Sequence, residues 1–315
     1  MTITPTISVV IPCRDAEAWL AETLASVRSQ EDVALEVIVV DDGSTDGSAA
    51  VAERFGVIVE RGPARGVSAA RNAGTARARG TFVLYLDADD VLLPGTLRER
   101  LDAIERDEAD VALSAWTRWE RQDDGGFVET ETVRRRMGAR PDAELLAGAW
   151  WPPGSLLYRR TIVDLVGGWR TDLPIIQDAR FLLDAVLAGA RLTYVDTVAM
   201  RYRVHGVGSL SRRDPEAFID DCYRSAADLH DRWQRDGTLD AERRRALLVA
   251  FGHTARAWFP IDRARFEQSF NRLMALDPRY LPDGPPALRA LSRAIGYRRA
   301  EHVASWWRRI AAVWR

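Results

Sequence analysis

The sequence contains no lysine, so all 44 cationic side chains among its 315 residues are arginine. That bias carries no functional reading of its own, but the balance of charge does. Against 46 acidic residues it leaves a formal net charge of −2, which argues against a general nucleic-acid binder. Cysteine is scarce as well: Cys13 and Cys222 are far apart in the chain and form no metal-ligand spacing. Such usage points to a reducing compartment and to Cys13 as a small buried residue at a strand end. No run approaches the roughly 18 apolar residues of a membrane span. The N-terminus leads directly into a strand, without the basic stretch and long apolar segment of a signal peptide. Cytoplasmic residence is therefore expected, with attachment to a membrane surface left open. There is no internal repeat. What remains is 47% hydrophobic and 29% charged, the composition of a globular chain long enough for one large α/β domain with an appendage, or for two domains.

Strand and helix patterns alternate through the first half. "ISVVIP" (7–12) reads as a strand, and Ala16, Trp19, Leu20, Thr23, Leu24 and Val27 recur at helical spacing after it. "LEVIVV" (35–40), "GVIVE" (56–60) and "FVLYL" (82–86) are further strands, separated by helices of which the last runs from about Ser68 to Arg79. This alternation predicts a parallel sheet with right-handed crossovers. In such sheets the loops beyond the carboxyl ends of the strands share one edge, where ligands bind. "PCRD" (12–15), "DDGSTD" (41–46) and "DADD" (87–90) all follow strands and are expected to face one cleft.

Asp87, Asp89 and Asp90 put three like charges in four positions, a repulsion relieved by solvent, by cationic partners or by a bound metal ion. An Asp-x-Asp at a sheet edge can hold a hard divalent cation through one or two carboxylates, with water and phosphate completing the shell. The plainer alternative is an acidic turn capping the helix near Pro94. Asp41 or Asp42 can accept hydrogen bonds from a nucleotide base or ribose, and Arg71 can pair with a carboxylate or phosphate or simply face solvent. Asp178 either caps the helix that follows it or serves as a general base.

Taken in order, "SVVIPCRDAEAWLAETLASVRSQ", "EVIVVDDGSTDGS", "RGVSAARNAGTARARGTFVLYLDADD" and "GGW…QDARFLLDAVLAGARL…YRVHGVGSLS" resemble the successive blocks of family 2 glycosyltransferases. The resemblance covers about Ile7 to Ser211 and implies the GT-A fold: a Rossmann-like, mixed but mainly parallel sheet flanked by helices, here over residues 1–213, with a helical C-terminal extension over 214–315. It implies an inverting transferase that moves a sugar from a nucleotide-diphospho-sugar to a hydroxyl of a saccharide or lipid-linked saccharide, in polysaccharide or glycoconjugate assembly. Pro12 and Arg14 then line the base pocket, with Asp42 on the pyrimidine, Asp41 supporting it and Arg71 on phosphate or carboxylate. Asp87 and Asp89 match the Asp-x-Asp for diphosphate and a divalent cation, Mn²⁺ or Mg²⁺, and His205 is a candidate for metal or diphosphate. UDP or dTDP is the expected carrier, and Asp178 falls on the catalytic base. The sequence departs from the family pattern at Arg14, where relatives often carry an aromatic residue, and at Gln177, where they often carry Glu.

Gly206 and Gly208 would let the segment Tyr202 to Arg213 close over a donor, with Arg212 and Arg213 reaching phosphate or facing solvent. One or two of Trp116, Trp119, Trp150 and Trp151 are expected to offer a ring to an acceptor sugar. From Asp283 to Arg315 seven arginines stand against Asp283 and Glu301, a balance of 7 − 2 = +5. Val303, Trp306, Trp307, Ile310, Val313 and Trp314 form an apolar stripe there. Such a helix suits a membrane interface as a peripheral contact, or packing on the catalytic domain or on a second subunit. Two rivals to the transferase reading stand. A nucleotidyltransferase would need a basic, glycine-rich loop after the first strand, which "PCRDAEAW" is not. A catalytically silent carbohydrate-binding or scaffold protein could keep the fold.

Overall fold

A computed structural model describes residues 6–62, 64–205 and 213–313. Its packing divides the chain into two compact units, one made of residues 1–141 and 150–213 and the other of residues 142–149 and 214–315.

The first unit is a mixed sheet with helices against it. Strands β1 (Ile7–Cys13), β2 (Leu35–Asp41), β3 (Ile58–Arg61) and β4 (Phe82–Tyr85) are parallel and lie in the order β3-β2-β1-β4. Every residue of β1 and β4 is buried, as expected of Val/Ile-rich strands covered on both faces. Helices α1 (Glu17–Arg28), α2 (Ser48–Arg54) and α3 (Val67–Arg77) form the crossovers. Beyond β4 the sheet turns mixed. β8 (Leu156–Arg159) is antiparallel to both β4 and β6 (Val111–Arg121), and β9 (Leu192–Val204) is parallel to β6. β5 (Val91–Leu92) pairs antiparallel with β9, and β7 (Phe127–Val133) makes a hairpin with β6. β9 runs on to Val204 because β6 on one side and β5 on the other give its backbone partners.

Two devices fix the register of this frame. A Cβ on Gly74 would lie 2.4 Å from Val10 Cγ1 and 3.0 Å from Val40 Cγ2, so α3 approaches β1 and β2 as closely as its glycine permits. At the other end of the strands, Glu36 accepts from Ser8 Oγ at 2.5 Å and from Arg79, while Ser8 Oγ accepts from Gly80 N at 2.7 Å. Remaining helices of this unit are α4 (Thr96–Arg106), α6 (Arg160–Val166) and α7 (Gln177–Leu187); a short helix α5 spans Pro141–Leu146.

The second unit is helical, with helices at Pro215–Arg235, Ala241–Trp258, Arg263–Leu276, Pro286–Ile295 and Tyr297–Val313. Asp214, Asp240 and Asp262 cap the first three by accepting from backbone N–H groups of their first turns. Leu229, Trp233, Leu247, Phe251, Trp258, Phe266 and Leu273 are buried in its core. Arg243 Nε donates to Asp142 Oδ2 at 2.7 Å, tying the 142–149 segment to this unit. Among the described residues, no helix is long and apolar enough to cross a membrane.

Candidate active site

The carboxyl ends of β1, β2 and β4 open onto one edge of the sheet, as parallel pairing demands. After β1, Pro12 is buried and Arg14 is exposed, its Nε 3.9 Å from Asp15 Oδ2. Cys13 is a free, buried thiol, and burial is the main cause that pushes its pKa up to about 11, so it is inert at neutral pH. Asp15 Oδ1 accepts from Thr45 N at 2.7 Å and Ser44 Oγ accepts from Asp15 N at 3.0 Å, which binds the first loop to the second. Asp41 Oδ1 accepts from Ser44 N at 2.9 Å. Asp42 is buried, and its two carboxylate oxygens accept from Ala64 N and Gly66 N, each at 2.8 Å. Each oxygen keeps a lone pair for a further donor.

The acidic loop after β4 is held from two sides. Arg71, on α3 and only 1% exposed, donates from Nη2 to Asp87 Oδ1 at 2.5 Å, and its guanidinium lies 4.3 Å from the ring centre of Trp169. Asn72 fixes that ring's backbone, accepting from Trp169 N at 2.7 Å and donating to Trp169 O at 3.0 Å. Arg71 Nε and Nη1 are buried with no hydrogen-bond partner among the described residues. On the other side Arg203 donates its backbone N–H to Asp90 Oδ1 at 2.8 Å and its Nε to Asp89 O at 2.6 Å. Its guanidinium also reaches Glu22 and sits 4.2 to 4.7 Å from the ring centres of Trp119, Trp19 and Phe127. His205 Nε2 lies 2.8 Å from Asp89 Oδ2. Burial first, then the charges of Asp89 and Asp87, raise Asp90 well above the ordinary carboxylate range, and its Oδ2 is buried without a partner.

Asp178 begins α7. Its Oδ2 accepts from Trp150 Nε1 at 2.7 Å and its Oδ1 from Ala179 N at 2.8 Å, while Gln177 Oε1 accepts from Asp178 N at 3.1 Å. Burial raises the Asp178 pKa, and the Trp150 hydrogen bond and the Arg71 charge act against the rise. Tyr202 connects the parts: burial is the main cause that raises its phenol, and the charges of Asp90, Asp87, Asp178 and Asp89 add to it. Trp150, which donates to Asp178, has its ring 5.4 Å from that of Tyr202, and Arg203 beside Tyr202 holds the acidic loop, so the start of α7 and that loop lie on either side of Tyr202.

The structure thus brings Asp87, Asp89, Asp178, Arg71 and His205 together, and sets Pro12, Arg14, Asp41 and Asp42 on the neighbouring loops of the same edge. Of the four tryptophans, Trp116 and Trp151 are buried and Trp119 packs on Arg203; Trp150 is half-buried and serves Asp178 through its N–H. Sequence reasoning missed Arg203, whose contacts cross more than a hundred residues, and gave Trp150 an apolar role when the structure uses its polar atom. An aromatic residue preceding a Pro-rich loop offers no local signal of which atom will matter. Gly206, Gly208 and Arg212, read as a closing segment, lie outside the described residues; Arg213 is exposed.

Among the described residues, no three His, Cys, Asp or Glu side chains are grouped to hold a metal ion. The arrangement nevertheless fits a cation shared with a ligand. Asp87 and Asp89 offer two carboxylates on one loop at the sheet edge, and a Mg²⁺ or Mn²⁺ ion bound by one or two carboxylates takes its remaining ligands from phosphate and water.

Comparison with known proteins places the fold. A family model described as "Glycosyl transferase family 2" matches residues 8–161. EpsJ of Bacillus subtilis (strain 168), an uncharacterized glycosyltransferase, is 24% identical over 238 residues, which cover 72% of this chain and 66% of EpsJ, just under two thirds of that relative's length. Among solved structures, S. aureus TarS 1-349 in complex with UDP-GlcNAc aligns with a TM-score of 0.67 at 19% identity, over 96% of this chain and 92% of that one. The mannosyltransferase PcManGT from Pyrobaculum calidifontis, in complex with GDP-Man and Mn²⁺, aligns at 0.57 and 18% identity, over 97% and 88%. At such identities these likenesses establish the fold, which is GT-A. Residues 8–161 of this chain thus match glycosyl transferase family 2.

Proposed function

We propose that the protein transfers a glycosyl group, with inversion, from a nucleotide-diphospho-sugar to a hydroxyl of a saccharide or lipid-linked saccharide acceptor. The observation that carries this reading is the chain of contacts from the base-type carboxylate to the acidic loop: Trp150 donates to Asp178 and packs its ring 5.4 Å from that of Tyr202, and Arg203, the next residue, holds Asp89 and Asp90. Diphosphate-binding and base-type carboxylates at one spot are what a single displacement needs. The donor complexes of TarS with UDP-GlcNAc and of PcManGT with GDP-Man and Mn²⁺ support a nucleotide-sugar donor and a divalent cation on this fold.

In this reading Asp42 receives the N–H of a pyrimidine, with Pro12 and Arg14 beside the base and Asp41 holding the turn. Arg71, through Nη2 on Asp87, would hold that carboxylate in place beside the diphosphate. Asp87 and Asp89, with His205 beside them, are the residues that would hold the cation, which when bound offsets the charge growing on the leaving diphosphate. Asp178 takes the proton from the acceptor hydroxyl as its oxygen bonds to the anomeric carbon. On the opposite side the bond to the diphosphate breaks, and its electron pair leaves with the phosphate. Trp150 keeps Asp178 oriented by its hydrogen bond and limits its pKa.

Calorimetric titration of UDP, dTDP, GDP and CDP, each with Mn²⁺ and with chelator, tests the donor half. One diphosphate should bind in a metal-dependent way, UDP or dTDP being expected, and Asp89→Ala should weaken that binding by roughly 10-fold or more. Failure of all four to bind would sink the reading and favour the silent scaffold.

A further inference from the structure

The last helix, Tyr297–Val313, carries two apolar faces, and only one of them is used. Tyr297, Ala300, Glu301 and Ser305 recur at i, i+3, i+4 and i+8 and are all less than 9% exposed, so they form the face packed into the helical unit. Val303, Trp306 and Trp307 lie on another stripe and are 37%, 59% and 60% exposed. Arg299, four residues before Val303, continues that stripe toward the helix start.

Arg299 also borders a cavity of about 520 Å³ at the junction of this helix with Pro286–Ile295. Arg279, Arg293, Arg298 and Arg299 line it together with Phe270 and Ile295, and no carboxylate is among the lining residues. Arg298 pairs with Glu267, whereas Arg279, Arg293 and Arg299 have no ion-pair partner among the described residues. Apolar walls, a rim of cations and two exposed indoles about two turns beyond Arg299 fit one chemistry: a phosphate headgroup attached to an acyl chain.

We infer that the helical unit docks on an anionic phospholipid surface, with Trp306, Trp307 and Val303 entering the interface and the arginine-rimmed cavity receiving a headgroup phosphate. A second copy of the chain is a poorer occupant of this face. A two-fold contact would set the same arginines against each other, in a segment whose charge balance is 7 − 2 = +5. Indole rings suit the headgroup region because they pair an apolar body with an N–H. The inference goes beyond glycosyl transfer and needs no donor, so it stands or falls separately from that reading.

The test is co-sedimentation of the full chain with vesicles of phosphatidylcholine alone or mixed with phosphatidylglycerol. Binding should require the anionic lipid and weaken with salt. Arg293→Gln with Arg299→Gln should weaken it by roughly 20-fold, and Trp306→Ser with Trp307→Ser should reduce it further. All four positions are exposed, and thermal melting should show both variants folded. Equal binding to neutral vesicles, or unchanged binding by the variants, would overturn the inference. So would competition by inorganic phosphate at headgroup concentration, which marks a free-anion site. A lipid-free sedimentation coefficient that rises with protein concentration and is lowered by Trp306→Ser with Trp307→Ser would reassign the face to self-association.

Discussion

Asp178, the proposed base, shows how far a carboxylate's titration is set by its surroundings. Burial raises its pKa, and the hydrogen bond from Trp150 holds it partly down. A general base acts only when ionised, so with Asp178 in that proposed role activity should fall as pH drops through its pKa. Trp150→Phe removes a donor that favours the ionised form, so the acidic limb of kcat/KM should move up by about one pH unit, the worth of one such bond. An unmoved limb would detach Trp150 from the chemistry. Asp178→Asn should lower kcat by about 10³-fold while leaving nucleotide affinity unchanged in titration calorimetry; lost affinity would make it a binding residue instead. The candidate positions were legible from the motifs. Their partners were not, because Trp150 is 28 residues from Asp178 and Arg203 is 114 residues from Asp89, and no periodicity spans such distances.

Among the elements, α3 does two jobs: it presents Arg71 to the acidic loop and packs Gly74 against β1 and β2. Gly74→Ala improves helix propensity by about 1 kcal/mol, but its Cβ would meet Val10 Cγ1 at 2.4 Å, an overpacking of roughly 1–3 kcal/mol. The net expectation is a lower melting temperature together with weaker donor binding, since moving α3 moves Arg71. Melting without a change in binding would separate the two jobs. At the amino ends of the strands, burial raises the Glu36 pKa, but hydrogen bonds from Ser8 and Arg79 outweigh it and the pKa lies below the ordinary value. A depressed carboxylate pKa contributes stability at neutral pH that is lost as pH falls through the folded-state value. Glu36→Gln should therefore cost roughly 1–3 kcal/mol near neutrality by urea denaturation, and its difference from the parent should shrink on acidification. Strand and helix positions were legible here because burial repeats every two or 3.6 residues along the chain. The length of β9 was not, because it is set by the strands on either side.

For the whole molecule, the chain does not divide at a single point. Residues 142–149 belong with 214–315, and within that unit Asp142 is paired with Arg243 while Ala143 and Leu145 are buried. A chain ending at residue 213 keeps this segment but loses its partners. It should melt lower than the full chain and scatter light as aggregates; a monomeric fragment as stable as the parent would show that the segment matters little. The sequence by itself determined the alternation of strands and helices, the acidic loops at strand ends and the helical character of the last third, because each is written in neighbouring residues. Only the tertiary structure decided which partners Asp89, Asp90 and Asp178 have, which unit holds residues 142–149, and which face of the last helix is left exposed. Those outcomes depend on contacts between residues distant in the chain, and such contacts exist only once the elements have packed.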